Sequence, residues 1–96
     1  MGIAEIIGDK RDAVLKLAEQ YGATNVRVFG SVARGEARED SDVDFLVEFR
    51  AGSSLFEVVG LWVRLKELLG REVDLSTDRT LKEFVRPRAL KEARPL

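Results

Sequence analysis

The sequence predicts an α/β domain: a small β-sheet with helices packed on it. Three observations carry this. The 96 residues are 45% hydrophobic and 34% charged, an ordinary globular balance that excludes disorder. Several stretches alternate apolar and polar residues, as half-buried strands do. Between them lie stretches with helical spacing, and the resulting order is α-β-β-α-β-α. Residues 1–96 fit one domain with one thin core.

Each element follows in turn. From Asp9, apolar residues fall at Val14, Leu17, Ala18 and Tyr21. That spacing predicts a helix, with Asp9 as its cap and Gly22 as its end. A short strand covers Asn25 to Phe29 and stops at Gly30-Ser31, where a loop or helical turn begins. Arg34 to Ser41 is polar and reads as a loop. In the second strand, Asp42 to Phe49, residues Val43, Phe45, Val47 and Phe49 point one way. Asp42, Asp44, Leu46 and Glu48 point the other. After a turn at Ala51-Gly52, a helix runs from Ser54 to Leu69. Ser54 and Glu57 form a capping box at its start. Leu55, Val58, Val59, Trp62, Leu65 and Leu69 form its apolar stripe, and Gly70 closes it. The third strand, Arg71 to Ser76, sets Val73 and Leu75 against Glu72, Asp74 and Ser76. One or two short helices follow, with Pro87 starting or breaking one.

Composition removes whole classes of chemistry. There is no cysteine and no histidine. Disulfides, thiolate metal sites, His-ligated zinc and every catalytic triad with an imidazole are therefore excluded. Catalysis must rest on carboxylates, hydroxyls, Lys, Arg or Tyr21. The N-terminus has no signal-peptide pattern, and no apolar run approaches the ~20 residues of a membrane span. The expectation is a cytoplasmic chain without membrane contact. Residues 1–48 hold 6 basic and 10 acidic side chains, a balance of −4; residues 49–96 hold 10 basic and 7 acidic, a balance of +3. Solvated helix faces account for such a basic half, and a polyanion such as RNA is the other reading.

The chemical signal lies in Asp42-Val43-Asp44. Asp is disfavoured inside strands. Two of them two residues apart leave the same face, roughly 6–7 Å apart at Cα. Their repulsion must be offset, and Mg²⁺ does this well because it prefers hard oxygen ligands and substrate phosphates. Asp74 stands on the polar side of its own strand. Should that strand pair beside the second in register, all three carboxylates converge. An exposed sheet face with ordinary charges is the competing reading. Gly30-Ser31, leaving a strand, can present backbone N–H groups to phosphate, and Arg34 can reach the same phosphates. Such a pair is also the composition of a plain turn. Together, a phosphate-cradling turn and paired carboxylates on the next strand have the layout of two-metal phosphoryl chemistry.

These residues resemble the signature of the DNA-polymerase-β-like nucleotidyltransferase superfamily. The string from Phe29-Gly30-Ser31 through Arg34-Gly35-Glu36-Ala37 to Ser41-Asp42-Val43-Asp44-Phe45 is similar to its minimal branch. The likeness continues through Val73-Asp74-Leu75 to the C-terminal residues. It implies a mixed β-sheet flanked by helices, ATP as donor, and Mg²⁺, as two ions, with Mn²⁺ as a substitute. Asp42 and Asp44 would be metal ligands, and Asp74 a third ligand or the base. Gly30, Ser31, Arg34 and Ser41 would hold the nucleotide. Members of this branch are often antitoxins that bind a HEPN-domain toxin and can adenylylate its tyrosine. An RNA acceptor and a homo-oligomer are further expectations.

Three functions compete. The first is an enzyme transferring AMP to a hydroxyl of a partner. The second is a non-catalytic antitoxin that masks its partner. The third is a nucleotide-binding module. The C-terminal residues Leu81, Phe84, Val85 and Leu90 are the expected partner or subunit interface.

Overall fold

A computed structural model describes residues 1–81 and 85–96. The elements are α1 (Ile3–Ile6), a 3-10 turn (Gly8–Lys10), α2 (Arg11–Gln20), β1 (Ala23–Phe29) and α3 (Gly30–Arg34). They continue with β2 (Val43–Phe49), α4 (Leu55–Leu69), β3 (Val73–Ser76), α5 (Arg86–Glu92) and β4 (Arg94–Pro95). The sheet runs β3-β2-β1-β4. It is mixed: β2 pairs antiparallel with β1 and parallel with β3, and β4 closes the far edge antiparallel to β1.

The expected order holds, with short additions: α1 and the 3-10 turn at the start, α3 where a loop or helical turn was expected between β1 and β2, and β4 at the end. Asp9 does not cap α2; it lies inside the 3-10 turn, and Lys10 precedes the helix without a side-chain cap. β1 starts two residues earlier than the alternation suggests, because a bulge between Thr24 and Arg27 interrupts its pairing. Asn25 sits in that bulge at φ 49°, a left-handed conformation that Asn tolerates better than most residues.

One core fills the face of the sheet beneath α2 and α4. Val28, Val43, Phe45 and Val47 meet Val14, Ala18, Leu61, Leu65 and Leu69 there. The buried stripe of α4 is rotated from the expected one. Leu61 is fully buried, whereas Leu55 is 76% exposed and Val59 44%. Apolar residues surround so much of α4 that periodicity alone does not select the stripe. What selects it is packing against α2, where the ring of Tyr21 lies over Gly60 so tightly that a methyl there would meet Cε1 at 2.5 Å. The stripe left outside comprises Leu55, Phe56, Val59 and Val63.

A second, smaller core lies on the other face. Leu46, expected among the outward residues of β2, is wholly buried with Phe29, Leu81 and Ala89, and Val85 and Ala93 pack against it. Described residues of the C-terminal segment therefore cover part of this face. Leu81 and Val85 serve the core rather than an interface, and Leu90 is exposed; Phe84 lies outside the described residues.

At the open edge, the Trp62 indole donates to the Val73 carbonyl at 2.6 Å. Lys66 lies over the same ring, 4.3 Å from its centre, and pairs with Glu72 at 3.2 Å. No helix among the described residues is long and apolar enough to cross a membrane.

Candidate active site

The part of the second face left uncovered by the C-terminal segment carries the acidic residues. Register decides their meeting. Asp44 of β2 stands opposite Asp74 of parallel β3, and Phe29, the last residue of β1, stands opposite Asp44 on its other side. Neighbouring strands lie about 4.8 Å apart, so the two carboxylates share one patch. Asp42 is exposed, just before β2 begins. All three charges are felt at one point. Burial, then the charges of Asp74 and Asp42, push the Asp44 carboxyl up to about 6, and the Arg34 charge opposes them. The three do not form a ready-made cage: among the described residues no three acidic side chains stand together at ligating distance. A cation among them would offset their mutual repulsion.

Gly30 is built into the same patch. It opens α3 at φ 71°, a conformation that favours glycine, and a Cβ there would collide with Oδ2 of Asp44. The first N–H groups of α3, at Gly30 and Ser31, have no intrahelical partner and flank the carboxylate patch. Donors beside clustered acids suit a ligand that brings anionic oxygens together with a cation. The donor set of carboxylates, open N–H groups and a side-chain-free approach thus fits a metal-bound triphosphate.

The remaining candidates sit differently. Arg34 turns towards α5, where its Nη1 donates to Glu92 at 3.0 Å, while its Nε donates to nearby Glu36 at 2.6 Å. The Ser41 hydroxyl closes a turn by accepting from the Arg38 N–H at 2.8 Å. Arg71 clamps that turn by donating to the carbonyls of Arg38 and Ser41 at 2.9 and 3.2 Å. It therefore ties the segment leading into Asp42 to the segment leading into Asp74. Sequence reading missed Arg71. An arginine two residues before a strand carries no local signal, and its partners lie some thirty positions away.

A Gly-Ser turn leaving one strand, with paired aspartates on the next and a third abreast of them, defines a nucleotidyltransferase-type α+β domain. The comparisons agree. Residues 10–96 match the family model described as nucleotidyltransferase domain, and the chain belongs to that family. It is 38% identical over 87 residues to a Methanocaldococcus jannaschii protein with the provisional name protein adenylyltransferase MJ0435, covering 91% of this chain and 94% of that one. It is 44% identical over 77 residues to protein adenylyltransferase MntA of Thermococcus cleftensis, covering 80% and 78%. A solved structure provisionally described as a minimal nucleotidyltransferase superposes with a TM-score of 0.86 at 49% identity, covering 100% of this chain and 97% of that one. A toxin–antitoxin structure with AMP-PNP shares the fold, with a TM-score of 0.74 at 20% identity over 88% of this chain and 69% of its own.

Proposed function

We propose that this chain is a protein adenylyltransferase that moves AMP from ATP to a hydroxyl, a tyrosine of a HEPN-type toxin, and so acts as an antitoxin. The observation that carries this reading is Asp44 set between Gly30 and Asp74, a glycine turn beside an acidic pair. Two relatives bear names of protein adenylyltransferases, which supports a protein acceptor. The toxin–antitoxin neighbours support the partner class. One of them holds AMP-PNP, and another is a variant in which two aspartates, two positions apart, are replaced by glutamate.

The residues divide the work. Gly30 and Ser31 offer backbone N–H groups to the triphosphate. Asp42, Asp44 and Asp74 would hold Mg²⁺, as one or two ions, or Mn²⁺; bound there, the metal neutralises phosphate charge and makes the acceptor hydroxyl more acidic. The acceptor oxygen attacks the α-phosphorus as the bond to the leaving pyrophosphate breaks. Its proton passes to a carboxylate, for which Asp74 on the edge strand is our choice. Direct in-line attack suits a chain without His or Cys.

A masking role is the second reading, and the exposed stripe Leu55, Phe56, Val59 and Val63 on α4 favours it, because an apolar face of that kind suits a protein partner. One experiment separates the two. The chain is incubated with Mg-ATP and the protein encoded beside it, and intact masses are recorded. Addition of AMP units to the partner, abolished by Asp42→Ala or Asp44→Ala, is the expected result. An unmodified partner that the double variant still neutralises would replace transfer with masking.

A further inference from the structure

The face that carries Asp44 also holds a cavity that no step above uses. It lies between α3 and α5, with a volume of about 440 Å³, and is lined by Ala33, Arg34, Arg88, Lys91, Glu92 and Arg94. Among the described residues, four cations and one carboxylate line it, and a second carboxylate, Glu36, pairs with Arg34 beside it, in a chain whose net charge is −1. Two of the four have a local role. Arg34 and Lys91 stand in the last turns of their helices, where a cation offsets exposed carbonyls. Arg88, in the first turns of α5, and Arg94, in β4, have no such role.

Glu92 is shared. Arg34 Nη1 donates to one of its oxygens at 3.0 Å and Arg88 Nε to the other at 3.1 Å. Two guanidinium groups each taking one oxygen of an anion is how arginines grip a phosphoryl group. Burial acts to raise the Glu92 pKa, but the hydrogen bonds and charges of Arg88 and Arg34 outweigh it and hold the carboxyl below the usual range. An internal anion thus stays ionised where an external one would fit.

We propose that this cavity is a second anion subsite, which takes a phosphoryl group other than those of the donor triphosphate and from which that group displaces Glu92. Its position gives it a use. Arg34 ends the helix that Gly30 begins, so the cavity is one five-residue helix, about 7.5 Å by helical rise, from the phosphate-accepting turn. Free polyphosphate and the phosphodiester of an oligonucleotide present the same oxygens, and both are sources of such a group. The subsite goes beyond the proposed transfer and does not depend on it.

Calorimetry on the full chain in EDTA tests it, since without a cation the acidic patch repels anions. One arm uses sodium pyrophosphate and the other a 5′-phosphorylated oligoribonucleotide. Binding is expected in at least one arm, and the arm that binds identifies the source. Arg88→Gln/Lys91→Gln should weaken it about fivefold or more. Glu92→Gln should tighten it, an effect that unfolding does not mimic. Absence of binding in both arms, unchanged affinity in the double variant, weakening by Glu92→Gln, or equal affinity for an acidic peptide would each overturn the proposal. Failure of AMP transfer would leave the result standing, because no ATP enters the assay.

Discussion

The two faces of β2 differ in what they spend their residues on. On one, Val43, Phe45 and Val47 are buried at 0, 0 and 1% exposure beneath α2 and α4. On the other, Leu46 is equally buried beneath the C-terminal segment, while Asp44 is half-buried and Asp42 and Glu48 are exposed. The first face is uniform and makes the fold. The second is divided within three residues, between an apolar lock and an acidic patch. A seven-residue strand thus carries charged residues because its apolar residues are anchored from both sides of the sheet.

The sharpest way to break the contrast is Phe45→Ala. Removing a fully buried ring from the uniform face should cost about 3–5 kcal/mol in urea unfolding. For a domain this small that is much of the total. Leu46→Ala tests the lock on the divided face. About 2–3 kcal/mol is expected, at the lower end for Leu→Ala, because the small cluster of Phe29, Leu81 and Ala89 is freer to collapse. A cost as large as that of Phe45→Ala would show that the two cores are equal partners.

Gly30→Ala targets the site rather than the fold. The left-handed backbone should cost about 1–2 kcal/mol. Collision with Asp44 should reduce AMP transfer on the order of 100-fold. Normal turnover with a lowered melting temperature would remove Gly30 from the site. Trp62→Phe keeps an aromatic ring, though a smaller one, and leaves the Val73 carbonyl without its donor, for a loss of about 1–2 kcal/mol.

The smallest effect concerns pH. Asp44 titrates at about 6 in the folded chain against 3.8 as the ordinary value. The folded state therefore binds its proton more tightly than the unfolded state does. That stabilisation is full below about pH 3.8 and disappears as pH rises through about 6. After discounting for solvent screening it is worth about 1 kcal/mol. In metal-free buffer at pH 7.5, Asp44→Asn should be more stable than the parent by that amount. An Asp44→Asn protein less stable than the parent would mean that the carboxylate is held by contacts rather than strained by charge.

Much of this was legible in the sequence because it is local. Alternation placed Asp44 on the face opposite buried Val43 and Phe45, Glu57 three residues after Ser54 marked the start of α4, and Gly70 marked its end. The Ser54 N–H does meet the Glu57 carboxylate, at 3.4 Å. What was not legible depends on distant segments. Leu46 looks outward until residues some 35 to 43 positions later cover it. Leu61 rather than Leu55 faces inward only because α2 lies where it does. That Arg34 shares a carboxylate with Arg88 depends on Glu92, 58 positions away. The pairing of Asp44 with Asp74 was conditional on strand order, which alternation does not encode.

The Trp62 indole at the sheet edge has a consequence for solubility. An edge strand is a template, and a passing chain can add to it by bonding its unpaired backbone groups. β3 is such an edge, only four residues long, and one of its outward carbonyls is already taken by an indole held in place beneath Lys66. An incoming strand would meet an aromatic ring where that carbonyl would bond. The same side chain that fastens α4 to the sheet therefore also guards the β3 edge. Light scattering of concentrated Trp62→Phe protein, set against the parent, would show whether the uncapped edge recruits further copies.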